Sequence, residues 1–187
     1  MRFKIISVAV AVAVCGAGSA AAVSISAASK HGALGPAHHG PAVIEVSRVK
    51  NYASLAGLRK ESTAVAMVTA AAARVTAVNG VPATVTTLQV KRVGWGAALP
   101  ATIDVLQLGT DSALSPDTSQ LFVHGNDYLV YVTRYHLHPG DHTGLYVVTG
   151  DQGVFAVRDA TLVFSGGGNP GFGRQIALSD WLAVVNR

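Results

Sequence analysis

A single cysteine, Cys15, is all that the 187-residue chain contains, and charged side chains make up only 13% of it. Disulfides within the domain are thereby excluded, and the fold must be held by its apolar core alone. Glutamate is almost as scarce, with Glu45 and Glu61 the only two. A glycosidase-like pair of carboxylates would have to be assembled from scattered aspartates. No run of five or more basic residues occurs, which removes the usual electrostatic footprint of a nucleic-acid binder. The G-x-S-x-G elbow, the G-x-x-x-x-G-K-[ST] loop, H-E-x-x-H and paired-cysteine metal knuckles are all missing. Ser, His and Asp are present but in no recognisable local frame. No catalytic or cofactor-binding residue is therefore assigned, and a hydrolase is the least supported class.

What is present begins with MRFKIISVAVAVAVCGAGSAAAVS. Arg2 and Lys4 form a positive n-region, Ile5 to Val14 an apolar run, and Gly16 to Ala22 a small-residue tail, the tripartite pattern of a secretory signal peptide. The apolar run is ten residues long, about half of the roughly 20 that a permanent membrane helix needs. Residues 1–22 are read as a signal peptide cleaved after Ala22, which makes the protein secreted or otherwise extracytoplasmic, with no transmembrane segment in the mature chain. The alternative is a lipoprotein anchored through Cys15, from which Val14 departs by standing where a lipoprotein signal has a small residue. Loss of Arg2 and Lys4 reduces 14 basic residues to 12 against 10 acidic ones. That balance is too even to argue for nucleic acid.

Residues 23–42 are Ala, Ser, Gly and Pro with His31, His38 and His39 and almost no large apolar side chains. Such a composition cannot bury enough surface to order itself and reads as a flexible linker. Residues 43–187 form the expected single domain. AVIEVSRVK reads as a short strand or extended entry, and Tyr52, Leu55 and Leu58 as part of a short helix that Ser54 can cap. The alanines of residues 63–78 favour helix while their Val and Thr favour strand. Asn79-Gly80 followed by the alternating ATVTTLQVKRV decides for a strand hairpin. TIDVLQLG, a long strand over 126–138, its partner 144–150 and a small hairpin over 154–164 follow. A glycine-rich loop then leads to LSDWLAVV, a terminal helix with Ser179 as its cap. The pattern predicts a mainly β fold, a small antiparallel OB-like Greek-key barrel with a short N-terminal helix and a C-terminal helix.

The order of a short helix, a Val-rich strand beginning STAVAMV, a hairpin, VTTLQVKRV running into a glycine, and a strand beginning NDYLVYV resembles the netrin-like module of the tissue inhibitors of metalloproteinases. It is also similar to uncharacterised secreted proteins of actinobacteria. The likeness spans roughly residues 52–165 and implies an OB-type barrel. Those inhibitors chelate the protease zinc through an amino-terminal Cys-x-Cys segment and carry several disulfides. This sequence has neither, so the resemblance carries over a fold and no inhibitory residue.

Gly166-Gly167-Gly168-Asn169-Pro170-Gly171 satisfies G-x-G-x-x-G, but Pro170 and Gly173 interrupt the helix that a dinucleotide site requires, so a loop is expected. Trp181 shares a stripe with Leu178, Leu182 and Val185 and is expected to pack the last helix onto the barrel. Trp95, between Gly94 and Gly96, is a core plug or an exposed partner-binding contact. RYHLHPGDHTG places His136 and His138 two apart in a strand, on one face and about 7 Å from each other. With Asp141 or His142 they make a metal-ligand set suited to Zn or Cu. A tight His138-Pro139-Gly140-Asp141 turn puts His138 opposite Asp141 and His142 on the other face. The bland alternative is a polar hairpin tip whose Pro, Gly and Asp serve the turn. The expectation is an exported, non-enzymatic binding or interaction module whose partner is an unknown protein or envelope ligand. A Zn- or Cu-binding protein using His136, His138, Asp141 and His142 is the alternative; otherwise no cofactor is expected.

Overall fold

The computed structural model describes residues 51–112, 118–136, 140 and 142–185, together with Ala9–Val12 and Ala21–Ser24, which pair antiparallel as a separate two-stranded unit. The chain enters the domain through α1 (Leu55–Lys60), where Ser54 Oγ accepts a hydrogen bond from the Gly57 N–H at 3.1 Å. That side chain satisfies one of the donors left open in the first turn, as its type predicts. Leu58 is fully buried on the inner face, and Arg59 and Lys60 complement the dipole in the last turn.

Eight strands follow: β1 (Ala64–Val78), β2 (Val81–Gly96), β3 (Thr102–Leu108), β4 (Asp127–Arg134), β5 (Tyr146–Val148), β6 (Val154–Arg158), β7 (Thr161–Phe164) and β8 (Gln175–Ala177). A short 3₁₀ turn, Thr149–Asp151, separates β5 from β6, and α2 (Leu178–Val185) closes the described chain. Asn79 and Gly80 both have positive φ, 49° and 81°, the turn that matches the twist of the long β1–β2 hairpin. The alanine-rich run from residue 64 is strand because its even residues up to Ala70 and its odd ones find different apolar partners on the two faces. Tertiary packing thus outweighs alanine's helix preference.

Five strands close into a ring in the order β1-β2-β3-β5-β4 and back to β1. The architecture is mainly β and barrel-like, as expected, with one difference: β5 runs parallel to β3, Val105 aligning with Tyr146 and Leu106 with Val147. A fully antiparallel ring is impossible here, because an odd number of strands cannot alternate direction all the way round. The far edge of β4 is shared between β5, at residues 132–134, and β6, at residues 128–130. From β6 the sheet runs on through β7 to β8 outside the ring.

Alternation sorts the side chains between two cores. Ala64, Ala66, Val68 and Ala70 of β1, with Val130 and Val132 of β4, join Leu88, Ile103 and Val105 in one cluster. Val65 of β1 and Leu129 and Tyr131 of β4 join Leu58, Phe155, Leu162 and Trp181 in the other. The first fills the ring, where alanines let the strands approach; the second seats both helices and the β6–β8 extension on its outer wall. Two sequence expectations shift. β4 ends at Arg134 instead of residue 138, because Tyr135 turns into a third cluster with Ala83, Val85 and Leu106. Ser179 lies inside the first turn of α2, which begins at Leu178, so it is not the cap. Among the described residues no helix is long and apolar enough to cross a membrane.

Candidate functional site

β2 reaches past the ring and ends in Trp95 and Gly96, which pair with Val65 and Ala64 of β1. Gly96 has φ +88°, and a Cβ there would lie 2.3 Å from the Thr63 carbonyl oxygen. Only glycine fits that approach, and it fixes the backbone from which Trp95 projects. The indole is partly buried against the outer core. Above it sits Arg59 of α1, its guanidinium 5.8 Å from the ring centroid. A cation over an indole face is held by the ring quadrupole, so helix and strand end are tied at this point.

Between these groups and α2 lies a cavity of about 100 Å³. Leu55, Ala56, Val65 and Ile176 supply aliphatic walls, Trp95 and Trp181 aromatic ones, and Arg59, Asp180 and Tyr131 the polar groups. Tyr131 is 2% exposed and Trp181 3%. Burial pushes the Tyr131 hydroxyl above the ordinary tyrosine range, opposed by its hydrogen bond to Trp181 and by the Arg59 charge. It is therefore a neutral, fixed phenol at neutral pH. An apolar pocket with a few placed polar groups suits an inserted aliphatic or aromatic group, and its lining offers no nucleophile with an adjacent base.

Trp95, nominated from sequence, lies in this site, and Trp181 both packs α2 and lines the cavity. Arg59, Tyr131 and Asp180 were not foreseen. Their only sequence signal is that Tyr131 falls on the β4 face opposite Val130, whereas the partners that give it meaning lie on two distant helices.

The histidine stretch is placed differently. His136 is half-buried and His142 exposed, while His138 and Asp141 lie outside the described residues. A tight turn would have set Arg134 opposite Leu145; its partner is Tyr146, one register step away. The flanks are fastened locally, Tyr135 N–H donating to Leu145 C=O at 2.9 Å and Thr143 Oγ1 to Tyr135 C=O at 2.7 Å. Among the described residues no three His, Cys, Asp or Glu side chains gather to hold an ion. The glycine run opens no helix: Gly167 N–H donates to Asp151 C=O, and a Cβ on Gly166 would lie 2.5 Å from that same oxygen.

Comparison with known protein families, curated proteins and solved structures returned no match. Function therefore rests on the chemistry of the site itself.

Proposed function

We propose that the chain is an exported, non-enzymatic binding module built on an OB-type, netrin-like barrel, and that it holds an apolar group of a protein or envelope partner in the pocket beneath Trp95. The observation that carries this reading is an almost wholly apolar cavity walled by two tryptophans and edged by Arg59 and Asp180. Indole walls with a cation at the edge are the composition of interface hot spots, in which aromatic residues and arginine dominate. The five-stranded ring, with β4 and β5 returning beside β1 and β3, supports the OB-type reading. The leader pattern of residues 1–22 supports export. Without the Cys-x-Cys segment the zinc-chelating mechanism of those inhibitors is not carried over, so binding is assigned to side-chain packing instead.

Affinity capture from the host's envelope and culture medium tests the reading. Trp95→Phe should retain the species captured by the parent protein and Trp95→Ala should lose it. Identical capture by Trp95→Ala would show that the pocket takes no part.

A further inference from the structure

Residues 72–78 of β1 have β2 on one side and, among the described residues, nothing on the other, because β4 pairs only as far as Thr69. The direction of their backbone groups follows from two hydrogen bonds on the far side of β2. Gly109 N–H donates to Pro82 C=O and Val90 N–H to Ala101 C=O, so the even-numbered residues of that part of β2 face β3. Ala83, Val85 and Thr87 then face β1, where they engage Thr76, Arg74 and Ala72. The N–H and C=O groups of Ala73, Val75 and Ala77 consequently point outward.

An open edge of this kind is a template for another strand, and proteins that avoid pairing blunt it with lysine, proline or a bulge. None interrupts residues 72–78: the sequence there is AARVTAV, and the bulge falls before it, between Ala70 and Ala72. Val75, at its centre, is 73% exposed, the more exposed of two large apolar side chains left in solvent among the described residues.

We infer that this edge pairs antiparallel with the same edge of a second copy of the chain, about a two-fold axis through Val75. The register is self-complementary. Val75 exchanges both backbone groups with its twin, and Ala73 does so with Ala77 of the other copy, so every outward donor meets an acceptor. Arg74, the only charge on the edge, falls opposite Thr76 rather than its own twin, and Asp104 lies 3.8 Å from it to balance the charge. An axis through Arg74 would set two guanidiniums face to face, which like-charge repulsion disfavours. One strand pair buries less than the roughly 1,200 Å² of a standard interface, so the dimer is weak and concentration-dependent.

Sedimentation of the protein from about 1 µM to 1 mM, the range of weak specific association, should show a monomer–dimer equilibrium. Val75→Lys puts two ammonium groups at the axis, and Val75→Pro deletes the outward N–H without touching the bonds to β2. Both should remain monomeric with unchanged circular dichroism, while Val75→Thr should dimerise like the parent. In the dimer, amide exchange at Ala73, Val75 and Ala77 should slow as concentration rises. A parent protein that stays monomeric throughout, including one whose edge is occupied by another extended segment, overturns the inference. So does a dimer that survives both Val75→Lys and Val75→Pro.

Discussion

Trp95 and Trp181 both touch the pocket, yet truncating them should have very different costs. Trp181 is 3% exposed and packs α2, its own helix, onto the ring wall. A buried tryptophan removes up to about 250 Å² from water. At about 25 cal/mol per Å² that is roughly 6 kcal/mol, less what alanine retains. Trp181→Ala should therefore cost about 3–5 kcal/mol, the usual range for deleting a core tryptophan. Against a total stability of about 5–15 kcal/mol, that leaves a marginal fold. Trp95 is only partly buried, and its indole lines the cavity. Its truncation removes about half that contact area together with the Arg59 interaction at 5.8 Å, so about 1–2 kcal/mol is expected. Urea unfolding followed by far-ultraviolet circular dichroism separates the two, because both variants unfold the same surface and should keep a similar slope. If Trp95→Ala costs as much as Trp181→Ala, Trp95 is a core plug and the pocket loses its claim as a binding surface.

Gly96→Ala should destabilise by more than about 2 kcal/mol, since the new methyl meets the Thr63 carbonyl and the backbone is left-handed there; a normal urea midpoint would contradict this. Lys91 Nζ lies 2.8 Å from the Asp127 carboxylate and, with Thr69, holds it below the usual carboxylate range. A depressed carboxylate stabilises above its unfolded value and loses that contribution as pH falls through the lowered one. The pair is solvent-exposed, so Asp127→Asn should cost no more than about 1 kcal/mol at neutral pH, and the difference from the parent should vanish in strong acid; a constant difference would refute the assignment. Tyr52, desolvated and beside Glu61, is pushed up to about 12. Its neutral form is favoured by folding, so that contribution is full below pH 10 and lost as pH rises toward 12. Glu61→Gln should lower the tyrosine midpoint in an ultraviolet titration, and an unmoved midpoint would exclude Glu61 as a cause.

Much of the fold was legible because local chemistry and tertiary packing agree. Asn79-Gly80 announced its hairpin, Ser54 its cap, and the Leu178–Val185 stripe its helix. Legibility failed where a side chain follows a distant partner instead of its local period. Alternation continues through residue 138, but Tyr135 turns toward Val85 and Leu106 and the strand stops at Arg134. β8 escaped notice because its three residues are exposed or only half-buried and pair solely with β7. The pocket was half visible: Trp95 stood out between two glycines. Arg59, Tyr131 and Asp180 did not, because they come together only when α1, β4 and α2 meet on the outer wall of the ring.

The binding role of the Trp95 pocket is tested most directly by site-specific photocrosslinking. A benzophenone amino acid in place of Ala56, an exposed residue of the pocket wall, should form one discrete covalent adduct in the native host on irradiation. Trp95→Ala in the same chain should abolish this adduct while the protein stays folded. An adduct of equal yield with and without the indole, or none in either, would contradict it.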